Sequence, residues 1–109
     1  YENNYKDILS KDIFTFQKSI ENRRRITWLV SVLLDEKIDR EEYIGELKQK
    51  GIDARPFFYS LSDMDIYKAY CKNFTHISHK LSKVGLNLPT YESLRSMDEI
   101  KKIIAGIKL

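Results

Sequence analysis

The stretch from Ile38 to Tyr59, IDREEYIGELKQKGIDARPFFY, decides how the chain is read. Asp39 and Glu42 have the spacing of a capping box, in which side chains satisfy the donors that a helix start leaves unpaired. Ile38 and Tyr43 flank them at the spacing of a hydrophobic staple. Tyr43, Ile44 and Leu47 form an apolar stripe, and Gly51 then Ile52 supply a left-handed stop with its closing contact. A helix over residues 40–50 is predicted. Behind it, Asp53 to Tyr59 reads as a strand, with Ala54, Pro56 and Phe58 on one face and Arg55, Phe57 and Tyr59 on the other. Pro56 has no N–H to give a ladder, so this strand is expected at a sheet edge or to carry a bulge. An edge bearing an Arg, a Phe and a Tyr is a place for a ligand or neighbouring domain to dock, although aromatic strand faces more often pack in a core.

Upstream, Tyr1 to Leu9 carries Tyr1, Tyr5, Ile8 and Leu9 at helical spacing and reads as the end of a helix. Ile13 to Phe16 reads as a short strand and Lys18 to Arg25 as a polar loop. Thr27 to Leu34 (TWLVSVLL) reads as a strand buried on both faces. Downstream, Ser62 or Asp63 is placed to cap a short helix through Met64, Ile66, Tyr67 and Tyr70. A helix from Phe74 to Val84 would set Phe74, Ile77, Leu81 and Val84 on one side, with Gly85 ending it. Leu86 to Pro89 is extended, and Ser96 with Glu99 opens an amphipathic helix carrying Met97, Ile100, Ile103, Ile104 and Ile107. This order predicts one α+β domain: a small, largely antiparallel sheet with helices packed mainly on one face.

The 109 residues are 42% hydrophobic and 32% charged, ordinary for a globular domain. The net charge of +3 comes from 19 basic and 16 acidic residues, well mixed, which argues against nucleic acid as a partner. The Arg23–Arg24–Arg25 run reads as a solvated turn. No apolar run approaches the roughly 20 residues that span a bilayer, so no membrane role is expected. One cysteine, Cys71, permits no intrachain disulfide and suits a reducing cytoplasm. Cys71, His76 and His79 lack a fourth ligand at zinc-site spacing, so no metal is expected, and the thiol reads as buried or half-buried and the histidines as surface residues. Nothing near Cys71 would orient a histidine or stabilise an oxyanion. No phosphate loop or nucleophile elbow occurs.

Four segments in register carry a resemblance: Trp28 in its apolar stretch, DREEYIGELKQKGID, ARPFFYSLSDMDIY, and LSKVGLNLPTYESLRSMDEIKKII. In order and spacing they resemble the C-terminal region of the DegT/DnrJ/EryC1/StrS aminotransferases, nearest to the perosamine synthase-like branch that acts on nucleotide-linked keto sugars. The resemblance covers about the last 85 residues. It implies a fold-type I enzyme, typically a homodimer, whose large domain holds pyridoxal phosphate on a lysine and whose small C-terminal domain closes one side of the cleft. The amino donor it implies is usually glutamate. By the resemblance Arg55, Pro56, Phe57, Phe58 and Tyr59, then Leu61, Ser62, Met64 and Tyr67, fall on the family's substrate-side motif. Arg55, Phe57, Phe58, Tyr59, Ser62, Met64 and Tyr67 are the candidate substrate contacts: a guanidinium pairs with a diphosphate, and rings pack on sugar or base. Ser60 and Asp65 stand where the family commonly has prolines, which bears on the choice of sugar. The family's aldimine lysine lies in a Ser-rich motif followed by Gly-Glu-Gly-Gly, and no such stretch occurs. The chain also begins at Tyr1 rather than at methionine. It is therefore expected to be the small domain of a longer enzyme, binding no cofactor and inactive by itself. The alternative is a free-standing, non-catalytic binding or dimerisation module derived from such a domain.

Overall fold

The computed structural model describes residues 5, 6, 9, 12–71, 76–90, 98 and 101. Helix α1 (Arg40–Gln49) forms where the capping signals put it. The Asp39 carboxylate accepts the Glu42 N–H at 2.9 Å. At the other end the Ile52 N–H reaches back to the Leu47 carbonyl and the Gly51 N–H to that of Lys48, the paired bonds of a Schellman stop. Gly51 sits at φ +81°, a backbone setting in which a Cβ is strained. Ile38 packs against the core that contains Tyr43, as a staple requires.

Strands β1 (Phe14–Phe16), β2 (Val30–Leu34), β3 (Arg55–Pro56) and β4 (Gly85–Leu88) form one antiparallel sheet in the order β1-β2-β4-β3. Between β3 and β4 lie a 3-10 turn (Leu61–Asp63), a one-turn helix α2 (Asp65–Lys68) and helix α3 (His76–Val84). This is the expected α+β arrangement, with Pro56 on an edge strand.

Register sorts the sheet into two faces. Phe14, Val30, Val32, Leu34, Leu86 and Leu88 are buried with Tyr43 and Leu47 of α1, and Ile52 and Ala54 close that layer. The Phe14 and Tyr43 rings meet at 5.9 Å between centroids, tilted by 58°. Tyr5 joins the same core, donating its hydroxyl to the Pro89 carbonyl at 2.8 Å. The opposite face carries Thr15, Ser31, Leu33, Gly85 and Asn87, because strand neighbours alternate and cross-strand partners share a side.

The sheet is shorter than its sequence suggests. Strand β2 begins at Val30, and its burial alternates rather than being complete on both faces. Thr27 and Trp28 lie outside it, and Trp28 is 78% exposed. β3 keeps only two of the seven residues from Asp53 to Tyr59, since it is paired on one side alone and Pro56 cannot extend the ladder. Ser62 and Asp63 lie in the 3-10 turn, and Met64, which makes no side-chain cap, precedes α2. The helix read through Val84 does end at Gly85, which opens β4 at once. Ile77 is exposed, so the apolar stripe expected on α3 reduces in packing to Leu81 and Val84, both half-buried. Cys71 is exposed, not buried. The expected helix end at residues 1–9 is helical at Tyr5 and Lys6 but bent at Leu9, and the expected last helix is helical at Asp98 and Lys101; their other residues, like Phe74, lie outside the described residues.

Arg40 was not singled out by any sequence signal, yet it joins α1 to the α3–β4 junction. Its guanidinium donates to the Ser82 and Gly85 carbonyls and to Glu41 at 2.7 Å, with its side chain only 14% exposed.

Candidate functional site

The edge strand and the face it borders bring three of the seven candidate residues, Arg55, Phe57 and Phe58, to two adjoining hollows. Arg55 pairs with Asn87, and Asn87 with Ser31, so the three form a polar row across β3, β4 and β2. The Ser31 hydroxyl donates to Asn87 Oδ1 at 2.8 Å, and Asn87 Nδ2 donates to the Pro56 carbonyl at 3.4 Å. The Arg55 guanidinium is held by Asp53: Nε and Nη2 both donate to Oδ2, at 3.2 and 2.9 Å. Both partners are well exposed, so the pair is weak and easily exchanged for another anion.

Phe57 continues the edge, donating its N–H to the Gly85 carbonyl at 3.1 Å. Its ring lies against Gly85, where a Cβ would fall 2.2 Å from the nearest ring carbons. Glycine is needed here for close approach, not for backbone freedom. With the ring so placed, Phe58 and Tyr59 turn to solvent, 79% and 76% exposed.

Two hollows meet at this edge. One, of about 420 Å³, is lined by Phe57, Phe58, Trp28, Ser31, Asn87 and Arg25 among others. The second, of about 430 Å³, is lined by Arg55, Phe58, Trp28, Asp53, Asn87 and Thr90 among others. Trp28, Phe58 and Asn87 border both. Thr90 fixes the stretch before β2 by donating its hydroxyl to the Trp28 carbonyl at 3.0 Å. Arg25 is half-buried rather than fully solvated, and donates to the Gln17 carbonyl at 3.4 Å.

Ser62, Met64 and Tyr67 lie on the following segment, Ser62 in the 3-10 turn and Tyr67 in α2. Ser62 and Met64 are half-buried, and Tyr67 is partly open. This segment is tied to α3 by side chains. The Ser60 hydroxyl lies 2.7 Å from that of Ser62 and 2.9 Å from that of Ser78, and His79 Nδ1 lies 2.7 Å from Asp63 Oδ2. His79 is thus half-buried and paired, unlike the surface residue expected.

Sequence reasoning missed Trp28, Asn87 and Asp53 as parts of this edge. Trp28 was hidden in an apolar run that looks like buried strand. Asn87 had a signal: one polar residue between Leu86 and Leu88 marks an alternating strand with a wet face.

Comparison with known proteins now bears on this arrangement. The DegT/DnrJ/EryC1/StrS aminotransferase family profile matches residues 1–108. The chain belongs to that family. It is 32% identical over 84 residues to a GDP-perosamine synthase of Vibrio cholerae, covering 74% of this chain and 23% of the relative. It is 31% identical over 86 residues to that of Caulobacter vibrioides, covering 77% and 23%. Against that of Escherichia coli O157:H7 it is 38% identical over 68 residues, covering 62% and 18%. The chain thus spans about a quarter or less of the length of the curated relatives it matches. The three relatives support the perosamine synthase-like resemblance read from the motifs.

DegT-family aminotransferases generally use pyridoxal phosphate, which supplies an electron sink once a lysine amine holds its aldehyde. The described residues do not fit that group. Among the described residues Lys37, Lys80 and Lys83 line one hollow. All three are exposed, and Lys80 is paired with Glu36, whereas a Schiff-base lysine is held out of water with a depressed pKa. No step of the chemistry is assigned to them. Among the described residues no three His, Cys, Asp or Glu side chains are grouped to hold a metal ion. No helix among them is long and apolar enough to cross a membrane.

Proposed function

We propose that this chain is the small, substrate-side domain of a pyridoxal-phosphate-dependent aminotransferase that aminates a nucleotide-linked keto sugar, with glutamate as donor. The observation that carries the proposal is the outward-facing edge: Arg55 and Phe58 stand open beside Trp28, as one wall of a cleft would, and the next residue, Tyr59, is open as well. An exposed aromatic cluster of this kind marks a place that something else covers. In this reading the reactive lysine and the cofactor belong to the enzyme's own large domain, the enzyme is a cytoplasmic homodimer, and these 109 residues alone are inactive. That the relatives are GDP-perosamine synthases supports a GDP-linked sugar as substrate.

In this wall Arg55 meets the diphosphate, exchanging its bond to Asp53 for a phosphate oxygen. Phe57, pinned over Gly85, sets the direction of Phe58 and Tyr59, whose rings pack on the sugar or base. Ser62, Met64 and Tyr67 continue the wall on the segment that α3 anchors.

The test uses the longest natural protein that carries this chain. Phe58→Ala and Tyr59→Ala should leave stability within about 0.5 kcal/mol, because both rings are on the surface. They should raise KM for the nucleotide sugar roughly tenfold, as loss of about 1.4 kcal/mol of ring contact would. Release of 2-oxoglutarate from glutamate without sugar should be unchanged. An unchanged sugar KM in both variants would overturn the reading, and so would equal loss of the two half-reactions.

A further inference from the structure

We propose that Asp53 reads the base of the bound nucleotide and selects guanine; this rests on the nucleotide-sugar reading above. The hollow of about 430 Å³ is lined by Asp53 and Arg55 together with two rings, Trp28 and Phe58. That volume lies within the range of small-molecule sites, roughly 300–1,000 Å³. Trp28 and Phe58 are 78% and 79% exposed, so both offer ring surface for stacking. Stacking tolerates every base, because every base has a π-face. Discrimination therefore falls to the polar groups.

An ionised carboxylate only accepts hydrogen bonds. Guanine presents two adjacent donors, N1–H and the N2 amino group, to one such acceptor pair. Adenine sets a ring-nitrogen lone pair beside its amino group, and cytosine does the same. Uracil and thymine set carbonyl oxygens beside a single N–H. Only guanine satisfies both carboxylate oxygens at once.

The Arg55–Asp53 pair serves as a placeholder for the ligand. In the structure Asp53 Oδ2 takes both bonds from Arg55. Side-chain exposures of 75% and 63% make the pair inexpensive to open. On binding, the guanidinium turns to the diphosphate and the carboxylate to the base, so two residues in one strand entry read the two ends of a guanosine diphosphate. The opposite assignment, Arg55 on the base and Asp53 near phosphate, is disfavoured by repulsion between like charges.

Equilibrium binding of GDP, ADP, UDP and guanosine to the longest natural protein carrying this chain tests the idea independently of turnover. GDP should bind at least tenfold more tightly than ADP or UDP. Asp53→Asn should weaken GDP roughly tenfold, the scale of one bidentate base contact, without weakening ADP, because an amide pairs one acceptor and one donor as adenine does. Arg55→Ala should bring GDP toward guanosine while leaving the GDP-to-ADP ratio in place. An Asp53→Asn variant that keeps the wild-type ratio overturns the proposal, as does a wild-type protein that does not distinguish the bases. Amino transfer to a GDP-linked keto sugar is measured separately. Transfer with an unchanged ratio sinks only the Asp53 assignment, whereas guanine-selective, Asp53-dependent binding without transfer sinks only the aminotransferase reading.

Discussion

Replacing Gly85 with alanine strikes the point on which the edge depends. The new Cβ would lie 2.2 Å from Cγ and Cδ2 of Phe57, far inside ordinary contact, and those atoms belong to a rigid ring. Either the ring leaves the sheet or Phe57, just past β3, loosens its N–H bond to the Gly85 carbonyl. A phenylalanine side chain buries about 150–250 Å² when fully covered. Phe57 is roughly two-thirds covered or more, so expelling it returns on the order of 100–150 Å² to water. At about 25 cal/mol per Å² that is roughly 2.5–4 kcal/mol, comparable with the upper end of measured overpacking penalties. Gly85→Ala should therefore lower unfolding free energy by about 2–3 kcal/mol in a denaturant titration, with the slope unchanged. Phe57→Ala removes the obstacle, so Gly85→Ala made on that background should cost less than half as much. Additive losses in the double variant, or a single variant within 0.5 kcal/mol of wild type, would refute the reasoning.

Three further outcomes are expected. Arg40→Met keeps the aliphatic stem but removes the donors to the Ser82 and Gly85 carbonyls, and should cost about 1.5–3 kcal/mol by thermal or chemical unfolding. Gly51→Ala forces a Cβ into φ +81° and should cost roughly 1 kcal/mol, whereas Gly45→Ala in the same helix, with open space around it, should be neutral or slightly stabilising. Burial, with the Glu46 carboxylate adding to it, pushes the Tyr43 hydroxyl up to about 12 from 10. The folded state then holds a proton that the unfolded state releases, so this stabilisation is complete below pH 10 and is lost as pH rises from 10 to 12. Up to roughly 2–3 kcal/mol is at stake, and the Tyr43→Phe variant should lose that part of the alkaline slope.

Much of the framework was local and hence legible in the chain itself. Asp39, Gly51 and Ile52 act within one turn of the helix they bound, so spacing alone reported α1 and both of its ends. Pro56 declared an edge because a missing N–H is a covalent fact that no packing can repair. The Arg-Pro-Phe-Phe-Tyr run and its neighbours carried the family, since those motifs are read as residues in order. What the chain did not disclose was which apolar residues would find a partner. Trp28 and Val30 sit in one hydrophobic run, yet β2 starts only at Val30, because the ladder from β4 reaches no further than Val30 opposite Leu88. Nor could spacing reveal that Gly85 exists to admit the Phe57 ring from 28 positions away. The joining of Asp53, Asn87 and Trp28 into one hollow has the same origin. Capping, proline chemistry and motif order are properties of neighbours along the backbone; the sheet's extent and the open edge depend on contacts between distant segments, and only the folded arrangement fixes those.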